Sequence, residues 1–248
     1  LRLPPDRANE WQNDLEGRVE AINYHDIELT IDPSFMSPKM IEVIKANRYE
    51  AQECRQLGRI IQSDEVVLEI GAGIGFISAL IAKNPLTKRL VSYEANPVLI
   101  PKIAETLTRN VGQAGGKWAV RNAVLMNGRS PEAVSFYVHK DFWASSLDPA
   151  AGYDRVEEVK VENFNAVLAD IRPTMIVCDI EGGEIELFRN ADLSGVKKVF
   201  LEVHQRRIGR RGMKDLFDYF HARDFHYDQA HSEGAVVLFS HVDRDKRT

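Results

Sequence analysis

The chain has 248 residues, 44% of them hydrophobic and 28% charged, with a formal charge of −5. That is enough for one large α/β domain, or one domain with a small appendage, whose core needs no disulfide staples. The composition excludes a disordered polar chain, and the mild acidity gives no ground for a nucleic-acid or membrane partner.

No apolar run is long enough to span a bilayer, and Leu1–Asp6 is not followed by the apolar stretch of a signal peptide. The initial Leu in place of Met leaves the completeness of the N-terminus open. Cys54 and Cys178 lie too far apart for a metal-ligand pattern and suit a reducing, cytoplasmic setting.

Residues 1–17 are polar and Pro-bearing and read as a loose arm. Two short strands follow, Val19 to Tyr24 and Ile27 to Ile31, joined by His25-Asp26. Residues 39–58 have helical spacing, with Met40, Val43 and Ile44 on one face and Gly58 as the expected stop. From residue 64 the pattern turns to βαβ. Val66 to Ile70 is a buried strand, Phe76 to Lys83 a helix, Leu90 to Tyr93 a strand, 97–110 a helix and Trp118 to Leu125 a third strand. Ala133 to His139 and Glu157 to Val161 read as strands with no long helix between them. The loop Asp141 to Asp154 separates them and carries Phe142, Trp143, Ser145 and Ser146.

The rhythm returns with a strand at Met175 to Asp179, a helix at Glu184 to Arg189, a strand at Val199 to Val203 and a helix at Lys214 to Arg223. Phe225 to Gln229 and Ala235 to Ser240 close the chain as a hairpin around Glu233-Gly234. Such alternation predicts an α/β fold with a doubly wound, mostly parallel sheet. An antiparallel hairpin ends it, and an N-terminal hairpin and helix extend it.

Ligands of such sheets sit at the carboxyl ends of the strands, where the strand order reverses. Gly71, Gly73 and Gly75 stand there, after the first strand, with Glu69 two residues ahead. Glycines permit a tight turn and close approach of a ligand to the backbone. A dinucleotide fingerprint needs a third glycine three residues after the second, and Phe76 occupies that position. The form Glu69-x-Gly71-x-Gly73-x-Gly75 instead resembles motif I of the class I methyltransferases. The resemblance implies a loop packed against the methionine part of S-adenosylmethionine.

Glu94 ends the second strand, before Ala95-Asn96-Pro97, where a carboxylate accepts both hydroxyls of an adenosine ribose; the plainer reading is a first-turn acid. Asn122-Ala123 closes the third strand, where class I methyltransferases hold the adenine. An Asn there serves either the base or a turn. The expected cofactor contacts are therefore Glu69, Gly71, Ala72, Gly73, Gly75, Glu94, Ala95, Asn96, Asn122 and Ala123.

Asp179-Ile180-Glu181-Gly182-Gly183-Glu184 follows the fourth strand, and Glu202-Val203-His204 ends the fifth. Neighbouring strands lie about 4.8 Å apart, so Asp179, Glu181, Glu202 and His204 are expected to converge. His204 has the chemistry to take a proton from a hydroxyl acceptor. Alternatively Asp179, Glu202 and His204 hold a divalent cation. The plainer reading makes Glu181 and Glu184 helix first-turn acids.

Tyr49-Glu50, the loop Leu68 to Gly75, Tyr93-Glu94-Ala95-Asn96-Pro97, the Asp179 to Glu184 turn and Leu201-Glu202-Val203-His204 together resemble the FkbM family, over about residues 49 to 204. Its members are S-adenosylmethionine-dependent methyltransferases, generally acting on oxygen in sugars, polyketides and related metabolites. The family often has Asn where this chain has Gly73. The resemblance adds Glu50, Ser146 and Asp179 to the cofactor contacts, with the serine-bearing loop folded over the cofactor and Trp143 a wall for adenine or acceptor. The stretches before residue 49 and after 204 lie outside the resemblance; the arm, hairpin and helix over residues 1–58 are expected to cover the cleft of a catalytic domain, 59–248.

Arg206, Arg207, Arg210, Arg211 and Lys214 form a basic run after His204, and Arg206 and Arg207 are expected to meet an anionic acceptor. The acceptor is a small molecule or glycan. Two other functions compete: an NAD-dependent oxidoreductase, against which Gly75 and Phe76 argue, and a non-catalytic cofactor-binding protein, against which the acids and His204 argue.

Overall fold

The structure is a computed structural model that describes residues 19–139, 141–149 and 153–247. The arm at residues 1–17 lies outside them.

Apolar β-branched residues build the centre. In β3 (Glu65–Ile70), Val67, Leu68 and Ile70 are buried, as expected of a strand covered on both faces. On one side it pairs in parallel with β4 (Thr87–Glu94), which pairs with β5 (Trp118–Asn122). On the other side it pairs in parallel with β9 (Met175–Cys178), which pairs with β10 (Lys198–Glu202). The antiparallel β12 (Val236–His241) and then β11 (Phe225–Tyr227) complete a seven-stranded sheet. The strand order therefore reverses between β3 and β9. The register sets Ile70 opposite both Tyr93 and Cys178, and Glu94 opposite Asn122, so the carboxyl ends finish at one level.

Each face of the sheet carries its own core. On one face α3 (Phe76–Lys83) buries residues all round, because the N-terminal hairpin of β1 (Glu20–Tyr24) and β2 (Ile27–Ile31) lies over its outer side. Tyr24 meets Phe76 edge-on at 4.7 Å and donates a hydrogen bond to the Tyr49 carbonyl at 2.5 Å. α1 (Pro38–Lys45), α2 (Ala51–Ile60) and α4 (Ile100–Val111) share that core. On the other face pack α5 (Phe164–Ile171), α6 (Glu184–Phe188) and α7 (Gln205–His221).

Several expectations are corrected. The helix expected over 39–58 is two helices, because Asn47 and Glu50 take left-handed φ of 55° and 45° between them. Gly58 lies inside α2 rather than at its end, as Ile60 anchors the last turn in the core. The third strand divides after Asn122; β6 (Val124–Met126) leaves the main sheet and pairs with β8 (Arg155–Asn163), which also pairs with β7 (Ala133–Val138). α5 was not foreseen, although Asn163 caps it through Ala166 N–H at 3.0 Å and Phe164, Val167, Leu168 and Ile171 keep helical spacing. α7 begins nine residues before the expected Lys214 and breaks at Gly209 (φ 68°).

Candidate active site

A cavity of about 980 Å³ opens at the carboxyl ends of the strands. It is at the upper end of the roughly 300–1,000 Å³ typical of small-molecule sites. Its floor is the glycine loop. At Gly71 (φ 87°) a Cβ would lie 2.9 Å from the Asp179 carbonyl carbon and closer to its oxygen, so only glycine lets β3 and β9 end side by side. At Gly73 (φ 53°) a Cβ would stand 3.0 Å from the Tyr49 hydroxyl, and at Gly75 (φ 82°) 3.0 Å from Ile103 Cα.

Glu94 projects from the end of β4 into the loop. One carboxylate oxygen accepts from Gly73 N–H at 2.9 Å and the other from Asn96 N–H at 2.7 Å. Burial raises its pKa, against these backbone donors. Ala95 and Ala123 line the cavity beside it. Asn96 is buried outside the lining, and its side-chain oxygen accepts from Val98 N–H at 3.2 Å, an Asx turn into α4. Asn122 also lies outside the lining and donates to the Glu94 and Ala95 carbonyls at 2.8 and 3.0 Å.

Glu69 does not reach the large cavity. It is buried behind the loop, where one oxygen accepts from Ser78 and Ser92 hydroxyls, each at 2.5 Å, and the other has no hydrogen-bond partner among the described residues. Burial pushes its carboxyl up to about 7. Ala72 and Gly75 are likewise buried parts of the turn rather than lining.

From above, Tyr49 and Glu50 close over Gly73, with Glu53 one helical turn further on. Burial, then Glu53, raises Glu50 well above the ordinary carboxylate range, and burial pushes Glu53 up to about 7. Phe142, Trp143, Ser146 and Leu147 form another wall. This loop returns to the cavity because Tyr137 and Ser146 exchange backbone hydrogen bonds of 2.9 and 3.1 Å. The Ser146 hydroxyl donates to the Asp148 carbonyl.

At the far end the second constellation does converge. His204 Nδ1 lies 2.7 Å from Glu184 Oε1, and its Nε2 lies 3.6 Å from Asp179 Oδ1, 3.7 Å from Glu181 Oε1 and 4.0 Å from Glu202 Oε1. Burial would lower the His204 pKa, but the Glu184 hydrogen bond and the Asp179 and Glu181 charges outweigh it and push it up to about 9. Burial, then Glu202, raises Asp179 well above its ordinary value. Three donor atoms of Asp179, Glu181 and His204 lie within 4.8 Å of one another, so Glu181 rather than Glu202 completes the tightest set.

The basic run lies elsewhere. Arg206 is exposed, and Arg207 pairs at 3.6 Å with Glu181; neither lines the cavity. The wall instead carries Glu50, Glu53, Glu94, Asp179, Glu181, Glu186 and Glu202 against Arg48 and Arg55. Glu53 and Glu186 were not foreseen, although Glu53 stands three residues from Glu50, one face of a helix away.

This wall separates the two adenosine cofactors. A dinucleotide brings a doubly negative pyrophosphate that needs free loop N–H groups. Here Gly73 N–H is already held by the Glu94 carboxylate, and the surrounding wall is acidic. S-adenosylmethionine brings a sulfonium and an ammonium, which such a wall attracts. Fold and site together define a class I methyltransferase architecture. The Methyltransferase FkbM domain family matches residues 69–227. The chain belongs to that family, and its cofactor is S-adenosylmethionine.

No curated protein matches the chain in sequence. Solved structures of similar shape include a protein in the NADB-Rossmann superfamily from Streptococcus agalactiae, at 13% identity over 75% of this chain and 66% of that one, with a TM-score of 0.45. Trm5b from Pyrococcus abyssi has 13% identity over 91% and 56%, with a TM-score of 0.49. TYW2 from M. jannaschii, in complex with AdoMet, has 13% identity over 92% and 88%, with a TM-score of 0.46. The chain thus spans less than two thirds of the first two proteins, and likenesses this distant carry no argument about cofactor or acceptor. Among the described residues no helix is long and apolar enough to cross a membrane.

Proposed function

We propose that this chain methylates a hydroxyl oxygen of a sugar or related small metabolite. The observation that carries the reading is the acid-walled cavity at the point of strand reversal, with Glu94 at one end and the Asp179–Glu181–His204 cluster at the other. When bound, S-adenosylmethionine supplies an electrophilic methyl group on sulfur. Glu94 would hold the ribose hydroxyls. Gly71, Gly73 and Asp179 would hold the methionine end, and Ala95 and Ala123 the adenine side. Phe142 and Trp143 exclude water, and the remaining volume takes the acceptor. The acceptor's proton passes to the cluster of Asp179, Glu181 and His204, of which Asp179 and Glu181 line the cavity. Most of the rate enhancement would come from positioning. A reducing, cytoplasmic setting suits the free Cys54 and Cys178.

Calorimetric titration with S-adenosylhomocysteine and with NAD tests the cofactor. Binding of the first alone is expected, weakened about tenfold or more by Glu94→Ala; unchanged affinity in that variant overturns the ribose assignment. Formation of S-adenosylhomocysteine across a panel of hydroxyl acceptors tests the reaction, and His204→Gln should lower kcat far more than cofactor affinity.

A further inference from the structure

We propose that Asp179, Glu181 and His204 form a divalent-cation site at the far end of the cavity, with Glu184 orienting His204 from behind. The role of such a cation, activating the acceptor hydroxyl, rests on the methyltransferase reading; its binding does not.

Three observations converge. The first is spacing. His204 Nε2 stands 3.6 Å from Asp179 Oδ1 and 3.7 Å from Glu181 Oε1, too far for hydrogen bonds. Donors bonded to one Mg²⁺- or Mn²⁺-sized ion at about 2.1 Å sit roughly 3–4 Å from each other. Donor atoms of all three residues lie within 4.8 Å of one another, facing a common point.

The second is the state of the ring. Glu184 is fully buried, and its Oε1 holds His204 Nδ1 at 2.7 Å while also accepting from Gly182 N–H at 3.1 Å. This commits one ring nitrogen to a carboxylate and directs the other toward the acids, the carboxylate–histidine–metal arrangement. The turn that delivers Glu181 and Glu184 has left-handed backbone at Glu181 (φ 52°) and Gly182 (φ 101°).

The third is unanswered polarity. Asp179 Oδ1 and Glu184 Oε2 are both inaccessible to solvent and have no hydrogen-bond partner among the described residues. Asp179, Glu181, Glu184 and Glu202 bring four carboxylates, against which stand the His204 ring and Arg207. A cation held between Asp179, Glu181 and His204 would answer the unpartnered Asp179 Oδ1 and the carboxylates that face it. Two carboxylates and one imidazole suit Mn²⁺ or Mg²⁺, with open positions left for oxygen ligands.

The test uses the full chain, stripped with EDTA and dialysed. Mn²⁺ is titrated by electron paramagnetic resonance and Mg²⁺ by competition, with and without S-adenosylhomocysteine. One saturable Mn²⁺ site is expected, with a ¹⁴N coupling from the imidazole. Glu181→Gln and His204→Gln should each weaken it about tenfold or more, and His204→Gln should remove the ¹⁴N coupling. Glu184→Gln, a positioning variant, should weaken it by about 10–100-fold. Thermal melts establish that each variant is folded. Absence of a saturable site in the wild-type chain, or a site that keeps its affinity and ¹⁴N coupling in the two ligand variants, overturns the proposal. Titration with S-adenosylhomocysteine in EDTA separates the two readings. Cofactor binding without Mn²⁺ binding removes only the cation, whereas loss of cofactor binding removes the methyltransferase reading and leaves the Mn²⁺ result to stand by itself.

Discussion

One substitution, Gly→Ala, should have opposite effects at Gly71 and Gly58. At Gly71 the backbone holds φ 87°, and an added Cβ would lie 2.9 Å from the Asp179 carbonyl carbon and nearer its oxygen. Ordinary carbon–oxygen contact is about 3.3 Å or more, so the Asp179 peptide has to retreat. The preceding peptide donates from Asp179 N–H to the Ile70 carbonyl at 2.9 Å, linking the ends of β3 and β9, and moves with it. Positive φ costs about 1–2 kcal/mol, overpacking about 1–3, and the strained hydrogen bond about 1. The expected loss is roughly 3–6 kcal/mol, a fall in Tm of about 10 °C or more for a chain of this size. Gly58 lies within α2, exposed, with no atom within 4 Å of an added Cβ. There the same change removes backbone entropy from the unfolded chain and should stabilise by about 0.5–1 kcal/mol, or about 2 °C. Circular-dichroism melts of both variants, with a calorimetric titration of S-adenosylhomocysteine, measure this. If Gly71→Ala melts with the wild-type chain and retains ligand affinity, the close approach of the two strand ends is not what the glycine serves.

Two further outcomes concern buried charge. Glu69 has its folded pKa raised to about 7 from an ordinary value of 4.5. The folded protein therefore favours the protonated form, and the stability it contributes is full below about 4.5 and is lost as pH rises through about 7. The difference corresponds to about 3 kcal/mol. Glu69→Gln should remove that decline from the stability–pH curve of the ligand-free protein, and parallel curves for variant and wild type would refute it. At the opposite ends of the strands, Lys198 and Glu65 form a fully buried ion pair, with Lys198 also donating to the Ile60 carbonyl at 2.6 Å and Thr174 to Glu65 at 2.5 Å. Lys198→Met strands the carboxylate and should destabilise by roughly 3–5 kcal/mol, while adding Glu65→Leu should restore much of that; urea unfolding of the single and double variants distinguishes these.

The sheet was legible because buried parallel strands are written as apolar runs, and Val66 to Ile70 or Met175 to Cys178 has no other use for such residues. Boundaries set by backbone conformation were not. The break at Asn47 and Glu50 depends on left-handed φ at residues that also serve within helices, and the departure of β6 from the main sheet depends on its pairing with β8, far along the chain. Within the site, Glu94, Asp179, Glu181, Glu202 and His204 could be brought together because each ends or follows a strand. Which acids face the cavity could not be read. Glu69 has the sequence position of a cofactor contact but points to Ser78 and Ser92, whereas Glu53 and Glu186, on helices, complete the wall.

The glycine loop and the acids are two sides of one constraint. A loop with three positive-φ glycines presents backbone N–H groups, which in a dinucleotide site would meet a phosphate. In this chain Glu94 turns back into the loop and takes Gly73 N–H and Asn96 N–H on its two oxygens. The donors are thereby spent before any ligand arrives, and negative charge stands where a phosphate would have to sit. Asp179 reinforces this from the neighbouring strand, since Gly71 lets its backbone come against the loop. Cofactor choice thus follows from which groups already occupy the backbone donors. Three glycines in a row of alternate positions permit either ligand, and the carboxylates folded against them admit the cationic one.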